Sequence, residues 1–294
     1  MKFVHVLTCF AIALGFCDAA SAQSTRIPVV AAENFYGDVV RQLGGDYVQV
    51  TSILSNPDDD PHLFEASPKT ARALQHAALI VYNGADYDPW MDKLLGASKG
   101  NTKRTVIVAA QLVDKKSGDN PHLWYDPKTM PTVARAVSEY LVKTDPSHKS
   151  DYDARLATFL DALKAIDTRV STLKSHYKGV PVTATEPVFG YMADAIGFER
   201  CNEHFQLAAM NETEPSAADI AAFEKDLRER RVHVLIYNSQ ATGPMTRRML
   251  AIAKEAHVPS ISVTETLPAG KTFQQWQLLQ LNNLADALQG WQSK

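Results

Sequence analysis

From Gln23 onward, short apolar runs alternate with stretches whose apolar residues recur at helical spacing. Ile27 to Ala32, Val48 to Leu54, Leu79 to Asn83 and Thr105 to Ala109 read as strands. Between them, Phe35 to Leu43 reads as a helix ended by Gly44-Gly45. Ser67 to Ala78 reads as another, with Ser67 as its N-cap and Pro68 at the first helical position. Strand followed by helix, repeated, is the pattern of α/β layers around a mainly parallel sheet.

The pattern then changes. From Pro146 to Lys178 there is no internal Gly or Pro, and Tyr152, Leu156, Phe159, Leu163, Ile166, Val170, Leu173 and Tyr177 follow one another in steps of four and three. That is the seam of a straight helix lying against a continuous partner. About 30 residues of helix span roughly 45 Å, enough to bridge two lobes. A coiled-coil dimer is the competing reading, but the seam covers only about four heptads, near the lower limit for one. A monomer is therefore expected.

Downstream the alternation resumes, with strands over Val180 to Thr185, Val232 to Tyr237 and Ser260 to Thr264, and helices such as Ala217 to Arg230 and Met245 to Ala256. The expected fold class is α/β: two α/β lobes with mainly parallel sheets joined by one long rigid helix. The divisions are 1–22 as a signal peptide, 23–145 as an N-terminal lobe, 146–178 as the bridging helix and 179–294 as a C-terminal lobe. A chain of 294 residues with 45% apolar content is ample for two cores.

The first 22 residues differ in kind. Lys2 precedes a nearly unbroken apolar run from Val4 to Phe16, and Ala20-Ser21-Ala22 forms an A-x-A cleavage signal. The run is too short to span a bilayer, which needs about 20 apolar residues. Secretion to the periplasm with cleavage after Ala22 is expected. Lipid attachment at Cys17 is the alternative, but Phe16 puts a bulky ring where a lipoprotein signal wants a small residue. Removal of Cys9 and Cys17 with the peptide leaves Cys201 alone, so neither an internal disulfide nor a thiolate metal cluster can form. The formal charge of −3 supplies no basic field for phosphates, and no nucleic-acid partner is expected.

Two local motifs resemble one another. Asp60-Pro61-His62-Leu63-Phe64-Glu65 follows the second strand, and Asn120-Pro121-His122-Leu123-Trp124-Tyr125-Asp126-Pro127 follows the fourth. In each, proline fixes the backbone ahead of an imidazole and an aromatic residue follows two positions later. An imidazole already held in place suits a metal ion, because its ordering entropy is lost before the ion arrives. In the second half, Glu186 and Glu265 directly follow strands, where ligands of doubly wound sheets collect. Both are open to the plainer role of cap or loop charge. Asn238-Ser239-Gln240 ends a strand and either lines the cleft or caps backbone. Asp58-Asp59-Asp60 reads as a solvated acidic turn. His76, His148, His176, His204, His233 and His257 read as surface or hydrogen-bonded residues.

The chain is similar, over residues 26 to 290, to the zinc/manganese solute-binding receptors of bacterial metal ABC importers, solute-binding family 9. The resemblance rests on Asp60-Pro61-His62 with Glu65 and Pro68, and on Asn120-Pro121-His122-Leu123-Trp124 with Asp126-Pro127. It also rests on the Gly-free helix, Thr185-Glu186 with Phe189 and Tyr191, and Val263-Thr264-Glu265-Thr266. It implies two lobes joined by a rigid helix, and one ion held between them by His62, His122, Glu186 and Glu265. The family commonly has aspartate where this chain has Glu265. Many zinc-specific members carry a histidine-rich insertion and a third histidine in place of Glu186.

Two imidazoles and two carboxylates suit zinc, manganese or ferrous iron. The departures from the zinc-specific pattern shift the expectation toward manganese or iron, and the sequence leaves carboxylate denticity open. The expected function is capture of one divalent transition-metal ion as transported ligand and its delivery to the membrane permease of an ABC importer, without enzymatic chemistry. The alternative is a secreted metal-dependent hydrolase, in which Glu265 would stand off the metal as a general base.

Overall fold

In the computed structural model, which describes residues 26–57, 64–97 and 103–292, the described residues form two four-stranded sheets. The first contains β1 (Ile27–Glu33), β2 (Val48–Leu54), β3 (Leu79–Tyr82) and β4 (Thr105–Val108) in the order β2-β1-β3-β4. The second contains β5 (Pro181–Ala184), β6 (Glu199–Cys201), β7 (Leu235–Asn238) and β8 (Ser260–Val263) in the order β6-β5-β7-β8. Every pairing is parallel, so the two sheets repeat one topology.

In the first half the helices are α1 (Asn34–Gly44), α2 (Pro68–His76), α3 (Pro89–Ala97), α4 (Ala109–Leu112) and α5 (Thr129–Thr144). Ser67 caps α2 as expected: its hydroxyl accepts from Thr70 N at 3.2 Å, and the Thr70 hydroxyl returns a contact to Ser67 N at 3.4 Å. The helix stops at His76, because Ala77 already has extended backbone. Ala109, expected to end a strand, instead opens α4.

The bridging helix is α6 (Lys149–Tyr177), entered through a 3-10 turn over Pro146–His148. Seven of its eight seam positions are buried, and Leu156 is half-buried. In the second half lie α7 (Gly190–Ile196), α8 (Glu203–Met210), α9 (Ala217–Arg228), α10 (Pro244–Glu255) and α11 (Phe273–Gln292).

The partner of the α6 seam is one continuous core that crosses from lobe to lobe. Val29, Phe35 and Val81 of the first half and Val182, Ile236 and Trp276 of the second belong to the same buried cluster as Phe159, Leu163 and Ile166. α11 contributes Trp276, Leu281 and Leu284 to it. Polar bonds cross the same boundary. The Asn34 side chain donates to Leu267 O and accepts from Leu267 N, both at 2.8 Å, and Asp38 accepts from Phe273 N at 2.8 Å. Among the described residues no helix is long and apolar enough to cross a membrane.

Candidate metal centre

The chain leaves β1 for β2 on one side and for β3 on the other, and the second sheet has the same switch between β5 and β7. Crevices at such switch points, beyond the carboxyl ends of the strands, are where open α/β sheets bind ligands. Glu33 ends β1 and Asn83 follows β3; Asn238 ends β7, and Glu186 and Glu265 come two positions after β5 and β8.

His122 is 1% exposed and held from several sides. The Asn120 amide oxygen accepts from His122 N at 3.1 Å and lies 2.6 Å from His122 Nδ1. An amide oxygen only accepts, so Nδ1 carries the proton and Nε2 presents a lone pair, the tautomer a metal requires. Asn120 is itself anchored by the second lobe, donating Nδ2 to Pro187 O at 2.8 Å and receiving the Tyr191 hydroxyl on its carbonyl at 2.7 Å. Trp124 and Tyr87 set their rings edge-on to the imidazole, with centroids 5.4 and 6.1 Å away.

Across the boundary, Glu265 is fully buried and its Oε2 lies 3.8 Å from His122 Nε2. That distance is too long for a hydrogen bond. Two ligand atoms each about 2.1 Å from one ion stand roughly 3.4 Å apart in a tetrahedron and farther at wider angles, so 3.8 Å suits a shared ion. The Asn238 amide nitrogen donates to Glu265 Oε1 at 2.5 Å and to Glu186 Oε2 at 3.1 Å, joining the two carboxylates. Gln240 accepts from Glu265 N at 2.6 Å and donates to Pro57 O at 2.8 Å, linking this loop to the first lobe. Burial, then the charges of Glu265 and Glu33, hold the Tyr87 hydroxyl well above its ordinary pKa.

Behind the imidazole lies a second acidic pair. Glu33 is fully buried and Asp88 is 1% exposed. The Asp88 carboxylate accepts from Asn83 N at 2.7 Å and Gly84 N at 2.8 Å. Burial first, then the charge of Asp88, push the Glu33 carboxyl well above the usual range; burial also raises Asp88. Asp88 is held by backbone amides, whereas Glu33 is buried beside it, and both carboxyls favour the protonated form more than an exposed carboxyl does. Asn83 extends the network, accepting the Tyr36 hydroxyl at 2.8 Å and donating to Pro121 O at 2.8 Å, next to His122.

Of the four residues expected from the sequence, His122 and Glu265 face one another at 3.8 Å, and Glu186 is joined to Glu265 through the Asn238 amide. His62 and the acidic run Asp58-Asp59-Asp60 lie outside the described residues, as does the segment 1–22. Among the described residues no group of three His, Cys, Asp or Glu side chains is close enough to hold an ion. Asn238 stands between the two carboxylates, donating to both. His148 instead pairs with Asp145 at 2.6 Å and stacks on Tyr47, and His204 is largely exposed. The supporting roles of Tyr87 and Asn120 were not read from the sequence, whereas Asn238, expected either to line the cleft or to cap backbone, does both: its oxygen accepts from Gln240 N and its nitrogen reaches the two carboxylates. For Asn120 a signal existed, an amide two positions before the imidazole.

A family model described as "Zinc-uptake complex component A periplasmic" matches residues 29–287. A manganese ABC transporter substrate-binding lipoprotein, PsaA, of Streptococcus mitis is 24% identical, covering 97% of this chain and 96% of its own length. The fold matches that of the periplasmic zinc-binding protein TroA of Treponema pallidum with a TM-score of 0.75, at 22% identity over 90% of this chain and 99% of that one. It also matches a manganese-bound periplasmic metal-binding protein of Candidatus Liberibacter asiaticus, a variant, with a TM-score of 0.69 at 18% identity, covering 88% of this chain and 98% of the other.

Proposed function

Because the chain belongs to the periplasmic zinc-uptake component A family, we propose that it is an extracytoplasmic receptor for a divalent transition metal. It captures one ion of zinc or manganese, with ferrous iron as a third option, and delivers it to the membrane permease of an ABC importer. His62, His122, Glu186 and Glu265 hold the ion. The N-terminal segment 1–22 directs export and is removed after Ala22, and the receptor works as a monomer. The two lobes, 23–145 and 179–294, are held by the bridging segment 146–178 with small relative movement, and opening is confined to the ligand-bearing loops.

The observation that carries this reading is the facing pair across the lobe boundary, His122 Nε2 and Glu265 Oε2 at 3.8 Å, each oriented by an amide side chain. The imidazole presents its lone pair, and the carboxylate is fully buried with Asn238 on its other oxygen. Relatives with this fold are named as transport receptors and metal-binding proteins, which supports binding over the hydrolase alternative. The test is metal titration of His122→Ala and Glu265→Ala beside wild type. Each variant is expected to lose at least about a hundredfold in affinity, since removing a ligand costs more than removing the group that orients it. Unchanged affinity in both would overturn the reading.

A further inference from the structure

The second lobe reaches the His122 imidazole through one side chain of the first. After β5 the chain turns at Pro187–Phe189 into α7, and this stretch is fitted to Asn120. Pro187 O accepts from Asn120 Nδ2 at 2.8 Å, and the Tyr191 hydroxyl donates to Asn120 O at 2.7 Å. Between them in sequence, Gly190 leaves room for the amide: a Cβ there would stand 3.0 Å from Asn120 Nδ2, closer than ordinary contact. Side chain and backbone of Asn120 are therefore both held from the other lobe.

Tyr191 crosses the boundary to do this. Its ring packs against the first-lobe cluster of Ala85, Ala110 and Leu123, and Leu123 directly follows His122. Lys115 Nζ lies over the same ring, 4.9 Å from its centroid. An apolar body seats the residue while the hydroxyl at its tip supplies direction. At the far end, Asn120 Oδ1 accepts from His122 N at 3.1 Å and lies 2.6 Å from His122 Nδ1. A flipped amide would set N–H against the His122 N–H and oxygen against Pro187 O, so the orientation of Asn120 is decided at both ends.

From this chain of contacts, and resting on the reading that His122 is a ligand, we infer that Tyr191 is a positioning residue that acts on His122 through Asn120 from the opposite lobe. The hydroxyl holds the Asn120 carbonyl, and the Asn120 side chain then stands where it can keep the proton on Nδ1. Movement of α7 away from the first lobe would withdraw the Tyr191 hydroxyl and Pro187 O together and leave the imidazole free to turn. That movement is local, so it couples the lobe boundary to the ligand without parting the shared core.

The test compares wild type with Tyr191→Phe, which keeps the ring in its seat, and with Gly190→Ala, which crowds Asn120. Tyr47→Phe is the control, because it removes a tyrosine hydroxyl that donates to Asp151 instead. In metal-free protein at about pH 8, where an imidazole is ordinarily neutral, nitrogen NMR of the His122 ring reports its tautomer and the exchange rate of its Nδ1 proton. Transfer of bound zinc to a chelator gives the release rate. Wild type is expected to show the Nδ1-protonated tautomer. Tyr191→Phe and Gly190→Ala are each expected to speed both Nδ1 exchange and zinc release by about fivefold, the scale of one hydrogen bond, and Tyr47→Phe to change neither. Should Gly190→Ala not fold, Tyr191→Phe carries the test. A folded Tyr191→Phe with wild-type Nδ1 exchange overturns the inference, as does a Tyr47→Phe that matches it in both rates. His122→Ala separates two kinds of failure. If it binds zinc as wild type does, the ligand reading has failed, and Nδ1 exchange alone decides whether Tyr191 positions the ring. If it has lost the metal while Tyr191→Phe releases zinc at the wild-type rate, only the role of Tyr191 is wrong.

Discussion

At the scale of single residues, the centre depends on amides that orient charged or ligating groups. Asn120 selects the tautomer of His122 and is tied to Pro187 and Tyr191 of the other lobe. Asn120→Ala should weaken metal binding by about 10- to 100-fold in titration while the metal-free protein keeps its circular dichroism spectrum. A loss below twofold would show that the imidazole is oriented by its aromatic neighbours alone. The Glu33 and Asp88 pair gives a prediction with a definite sign. Both carboxyls are raised in the folded protein, mainly by burial. Above the unfolded carboxylate range of about pH 4, the folded state holds a proton that the unfolded chain has released. This contribution to stability is therefore full at low pH and is lost as pH rises through the folded-state values. Glu33→Gln, neutral at every pH, should flatten the fall in melting temperature of the metal-free protein above about pH 4; a profile parallel to wild type would contradict a raised Glu33 carboxyl.

At the scale of elements, α6 is the helix most legible in the sequence. Steps of four and three name one face of a straight helix whatever it packs against, and seven of those eight residues are buried. Phe159, 2% exposed, should cost about 3–5 kcal/mol on truncation to Ala in denaturant unfolding, whereas exposed Lys164 should cost less than about 0.5 kcal/mol. Equal effects would mean that the seam is not the load carried by this helix. By contrast α11 was not read from the sequence. Glutamine and asparagine interrupt its apolar positions, and three buried glutamines, Gln274, Gln277 and Gln280, sit where a periodicity argument wants leucine. Gln280 is there for a partner distant in sequence, the hydroxyl of Tyr125 at 2.7 Å. The clamp of Asn238 on Glu186 and Glu265 was hidden for the same reason, since its partners lie 52 and 27 positions away. Side-chain hydrogen bonds between loops leave no periodic trace, so the strands were visible and the roles of the residues at their ends were not. Glu186 and Glu265 themselves rested on family resemblance more than on local pattern.

For the whole molecule, the two sheets are not independent bodies hung on a hinge. A single buried cluster runs from Val29 through α6 to Trp276, and the reciprocal bonds between Asn34 and Leu267 cross the boundary near the centre. Opening the lobes widely would expose that core, so on the proposed reading release acts through the loops around the candidate site. Crystal structures with and without metal should superpose within about 1 Å over the strands and α6, with differences confined to the ligand-bearing loops. A large rotation of one sheet against the other would contradict this.

The most direct test of the central claim is a competition titration of metal-free wild type and Glu265→Ala with zinc and with manganese. Wild type should bind one equivalent, and the variant should bind at least about a hundredfold more weakly, roughly 3 kcal/mol, because on the proposed reading it loses a buried carboxylate that faces His122 across the lobe boundary. One equivalent bound by Glu265→Ala with wild-type affinity would place the ion elsewhere and contradict the account.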